Sequence, residues 1–119
     1  MSTPQQDFQK FLDQQRADYR RALPEKMAHI RALWNALAGG GETAPRAELE
    51  RLVHTLAGTA GTLGFHEVGA AARALELLLE QAAPAGQVPL PPQRAEIALA
   101  VDALQASLPA ENLFLDQGR

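Results

Sequence analysis

Apolar residues recur along most of this chain with the three-to-four-residue beat of an α-helix, and the breaks in that beat fall where glycine and proline cluster. Near the start, Phe8, Phe11, Leu12 and Tyr19 share one helical face, with Thr3 placed to cap and Pro4 in the first turn. This first helix is expected to end near Ala22 and to bury most of its apolar face. Pro24 then opens a second helix, because a first-turn residue needs no intrahelical donor, and Met27, Ile30, Leu33, Trp34 and Leu37 form its stripe. Gly39, Gly40 and Gly41 stop it and connect it to its neighbour. A third helix, beginning around Thr43 to Pro45, turns Leu49, Leu52, Val53, Leu56, Ala60 and Leu63 inward and ends at Gly64. Val68, Ala71, Leu75, Leu78 and Leu79 mark a fourth, reaching about Gln81. Residues 83–92, with five of the prolines and glycines among them, read as a loop; a last helix then carries Ile97, Val101, Leu104 and Leu108 inward and stops at Pro109.

No alternation of the strand type and no internal repeat interrupts this pattern. The expected fold is all-α: an antiparallel four-helix bundle with an additional N-terminal helix. Residues 1–110 make the bundle and 111–119 a C-terminal tail, in which Leu113, Phe114 and Leu115 are free either to dock or to stay apart. A length of 119 residues closes one hydrophobic core and divides poorly into two. Met1 and a complete bundle fit a separate small protein, expected to be a monomer.

Composition narrows the function. A net charge of −3 and a pI near 5.5 give no basic surface for nucleic acid. There is no cysteine, so neither disulfides nor thiolate metal sites exist, and no cofactor is called for. The polar start and the lack of a membrane-length apolar run point to a cytoplasmic chain without a membrane partner.

One stretch resists a purely structural reading. In the third helix, about 100° per residue places His54 opposite the apolar stripe, with Gly58 one turn on and Gly61 almost two. An interior glycine costs about 1 kcal/mol relative to alanine, so this outer face forgoes on the order of 2 kcal/mol. Glycines that served internal packing should face inward. Here they leave a bare surface around an accessible imidazole, as expected of a histidine that enters another protein's site.

His54-Thr55-Leu56-Ala57-Gly58-Thr59-Ala60-Gly61-Thr62-Leu63-Gly64 resembles the signature of histidine-containing phosphotransfer (HPt) domains, a histidine followed by x-Leu-Lys-Gly and a run of small residues ending in glycine. The likeness continues through Ala71-Ala72-Arg73-Ala74-Leu75-Glu76, similar to the Ala-x-x-Leu-Glu run of the family's next helix. The resemblance implies a phosphocarrier more than an enzyme: His54 accepts a phosphoryl group, at Nε2, from a response-regulator receiver aspartate and passes it to another receiver. The partners it implies are receiver domains of a hybrid sensor kinase and of a downstream regulator, with Mg²⁺ on the receiver. The first helix of such proteins also contributes to the receiver-docking surface. One position departs: Ala57 stands where the family has lysine, so a cation near the phosphoryl oxygens is missing. Arg51, one turn before His54, is a candidate replacement; an HPt-like module that binds receivers without relaying phosphate is the alternative.

Other chemistry finds less support. His29 and His66 read as boundary or capping residues and Trp34 as core. Inward Glu-x-x-His pairs of a di-iron bundle are lacking, and Glu50 with His54 on an outer face makes a poor metal site.

Overall fold

The computed structural model describes residues 3–39, 44–82 and 89–117, with side chains described at 3–39, 45–82 and 89–108. Four helices and no strand are present among these residues: α1 (Pro4–Ala38), α2 (Ala44–Thr62), α3 (His66–Gln81) and α4 (Pro91–Gln117). The rest of the triple-glycine connection beyond Gly39, and residues 83–88 of the proline-rich loop, lie outside the described residues.

The first two expected helices are one. α1 runs through Pro24 without a break. Proline deletes a single backbone donor, and Pro24 sits on the exposed side of α1 while Leu23 and Met27 beside it are buried. Burial on both sides of the proline therefore keeps the helix going where local propensity would end it. Thr3 caps α1 as expected: its hydroxyl accepts from the Gln6 backbone N–H at 3.1 Å, and the Gln6 side chain accepts in return from the Thr3 N–H at 2.8 Å. α4 departs similarly. Pro91 and Pro92 belong to its first turn, where no donor is needed, and its backbone continues past Pro109 to Gln117. As in α1, one lost backbone bond does not end a helix whose preceding turns are anchored, here by buried Leu104 and Leu108.

The core follows the apolar stripes. Met27, Ile30, Trp34 and Leu37 meet Leu49, Val53, Leu56 and Ala60, then Val68, Leu75 and Leu79, then Ile97, Val101, Leu104 and Leu108, all buried. Leu33, Leu52, Leu63, Ala71 and Leu78 are half-buried at its margin. Phe65 is the largest of its fully buried side chains. The turn that carries it explains why. Gly64 has φ of +90°, which a glycine adopts without strain. Its N–H bonds the Gly61 carbonyl at 3.2 Å while the Phe65 N–H bonds the Ala60 carbonyl at 2.8 Å. This is a Schellman ending of α2, and both members of the pair that usually makes its apolar contact, Phe65 and Ala60, are buried in the core.

Phe8 and Phe11 overturn the expected burial of the first apolar face: they are 61% and 57% exposed, with Leu12 half-buried. Arg16 Nε donates to the Leu63 carbonyl at 2.8 Å, so Arg16 stands level with the end of α2. The turns of α1 before it extend past the end of α2.

Candidate functional site

α2 and α3 touch at three levels. Arg46 near the start of α2 donates to the Leu79 carbonyl near the end of α3 at 3.1 Å. His54 in mid-helix meets Glu76. Gly61 near the end of α2 lies against Gly69 near the start of α3, where a Cβ on Gly69 would come within 3.2 Å of the Gly61 nitrogen. With no side chain at Gly69, the two backbones approach closely, and this closeness lets a short carboxylate on α3 reach the imidazole on α2.

The histidine itself is open to solvent, with 75% of its side chain exposed. Its Nδ1 is hydrogen-bonded to Glu76 Oε2. Glu76 is the reverse, only 8% exposed, and its other oxygen accepts from Arg73 Nη1 at 2.6 Å. Burial alone pushes the Glu76 carboxyl up, but the hydrogen bonds and positive charges of His54 and Arg73 outweigh it and hold the group below its ordinary range. An ionised carboxylate only accepts. The shared hydrogen therefore sits on Nδ1, and whenever the ring is neutral its lone pair is on Nε2, the nitrogen turned away from Glu76.

Gly58 and Gly61 are exposed, and a Cβ added to either would meet nothing within 4 Å. Around His54 the surface is a shallow depression formed by Gln15, Thr55, Gly58, Thr59, Thr62 and Leu63. Gln15 brings the N-terminal half of α1 to its rim.

Ala57 is half-buried against the core. Arg51 donates to Glu48 Oε1 at 2.6 Å, one turn toward the start of α2, whereas His54 lies one turn the other way. His29 and His66 are exposed and apart from this cluster, and Trp34 is core. Glu50 is turned to Arg46, which donates to it at 2.9 Å. Apolar periodicity does not name Glu76 and Arg73 as site residues. A signal was nonetheless there: Ala72, Glu76 and Leu79 share a face, so a carboxylate occupies a buried stripe and requires a partner from another helix.

A family model for the Hpt domain matches residues 6–107, nearly the whole described bundle. The chain belongs to the Hpt domain family. No curated protein and no solved structure matches it. Membership implies phosphotransfer in two-component signalling, in which Hpt domains are phosphocarriers that interact with receiver domains. Among the described residues, no helix of this Hpt domain is long and apolar enough to cross a membrane.

Proposed function

We propose that this Hpt domain is a cytoplasmic phosphorelay intermediate that carries the phosphoryl group on His54 Nε2, between the aspartate of one receiver domain and that of another. The observation that carries the reading is the pairing of an exposed imidazole with a buried carboxylate at Nδ1. The contact pairs between helices also support the antiparallel arrangement on which the reading relies.

In the accepting step, the Nε2 lone pair attacks phosphorus as the bond to the aspartyl oxygen breaks, and the aspartate leaves as carboxylate. Nδ1 keeps its hydrogen throughout. The ring becomes a positively charged phosphoimidazolium, and the Glu76 carboxylate stands against that charge. In the donating step a receiver aspartate attacks phosphorus, the P–Nε2 bond breaks, and the leaving group is a neutral imidazole rather than an anion. Glu76 thus serves both directions by keeping the proton on Nδ1. Phosphoryl transfer depends mainly on positioning and charge neutralisation, and the open surface at Gly58 and Gly61 admits a receiver that brings its own Mg²⁺.

Incubation with a phosphorylated receiver tests this. Acid-labile label is expected on the wild type and none on His54→Gln. Ala57, which supplies no cation, supports the second reading, a module that docks receivers without relaying phosphate. Receiver binding by a wild type that never takes label would establish that alternative and end the first.

A further inference from the structure

Ala57 leaves the phosphoryl group without a lysine from its own helix, and the nearby cations are otherwise engaged. Arg51 is bound to Glu48, and Arg16 to the Leu63 carbonyl. Arg46 is buried at the far end of α2 against Glu50 and Leu79. Arg73 differs from all three. It holds one oxygen of the carboxylate whose other oxygen holds His54, so a single carboxylate separates guanidinium from imidazole. Its side chain is 60% exposed on the same outer surface, with donors beyond the one given to Glu76.

We infer that Arg73, from the neighbouring helix, is the cation that attends the phosphoryl group on His54, in the place left empty at Ala57. The inference rests on the phosphocarrier reading and goes beyond it by assigning a residue from α3 to the phosphoryl oxygens. Glu76 anchors the guanidinium within reach while its flexible stem lets a free N–H turn to the new anion. Charge favours the move. Phosphorylation adds two negative charges beside a carboxylate that is already ionised, and the ring and Arg73 are the two positive groups at hand to offset them.

A small phosphodonor isolates this chain's contribution, because a receiver would bring cations of its own. Phosphoramidate transfers its phosphoryl group to Nε2 with cleavage of its P–N bond and release of ammonia, and the rate of label uptake on the full chain is the readout. Arg73→Ala is expected to slow uptake about tenfold, Arg73→Lys to recover most of the rate, and Arg51→Ala to leave it within about twofold. A residue that only steadied Glu76 would have nothing left to do once Glu76 is changed. Arg73→Ala is therefore also compared in a Glu76→Gln background, where a further loss of several-fold is expected. Unchanged uptake in the Arg73→Ala single variant, or no further loss in the Glu76→Gln background, overturns the assignment while labelling of the wild type leaves the phosphocarrier reading standing. A wild type labelled by neither phosphoramidate nor a phosphorylated receiver removes both.

Discussion

Glu76 is where the physical chemistry of the site is most concentrated, because one buried carboxylate fixes a tautomer, holds a cation and ties two helices. Its folded-state carboxyl titrates below the ordinary value of 4.5. The stability it contributes is therefore complete above that value and is lost as pH falls through the lower folded value. Glu76→Gln is expected to cost roughly 1 to 3 kcal/mol near neutrality. Urea unfolding measured from pH 7 to pH 2 should show the gap between wild type and variant closing below about pH 4.5; a gap that stays constant would contradict the linkage. Gly58 poses the opposite case, a residue that stability does not want. With open space where a Cβ would stand, Gly58→Ala is expected to gain up to about 1 kcal/mol. Gly58→Gln should likewise keep the helix yet block transfer from a receiver, and full transfer by that variant would remove the steric account of the outer face.

Between elements, the decisive contact is the approach of α2 and α3 at Gly61 and Gly69. Gly69→Ala places a Cβ 3.2 Å from the Gly61 nitrogen and 3.3 Å from its Cα, against backbone that can only yield by moving a helix. The same change that stabilises at Gly58 is thus expected to destabilise here, by about 1 kcal/mol net of the helix-propensity gain. It should also loosen the bond between His54 and Glu76, which a change in the His54 ring NMR signals would report. An unaltered stability and spectrum would mean that the helices are not held at this distance. Cross-helix capping supports the same geometry. Neither α2 nor α3 has a basic residue in its last turn, and Arg16 and Arg46 supply from neighbouring helices what each end lacks.

Across the whole molecule, the sequence is most legible where a stripe of large apolar residues decides the outcome. Met27, Ile30, Trp34, Leu49, Val53, Leu75, Ile97 and Leu104 are buried as their spacing predicts. Legibility fails at Pro24 and Pro109, where anchoring on adjoining turns outweighs one missing donor. It fails again at Phe8 and Phe11, whose periodicity promises burial but which stand exposed beyond the end of α2. The site divides in the same manner. His54, Gly58 and Gly61 lie on one helix and could be read from a single wheel. Glu76 and Arg73 join them only through the register of two helices, which Gly69 permits and which no wheel drawn on one helix contains.

The overhanging start of α1 fixes more than an exposed patch. Phe8, Phe11 and Gln15 follow one another at helical spacing on a single line, and Gln15 reaches the rim of the depression that holds His54. Arg16, pinned to the end of the histidine's own helix, keeps that line from sliding along its axis. The two phenylalanines thus stand on the same side of α1 as the residue that reaches the histidine's depression. On the phosphocarrier reading, a receiver seated on this side would meet the apolar pair and the imidazole together, so shape complementarity would enter the choice of partner before any chemistry begins.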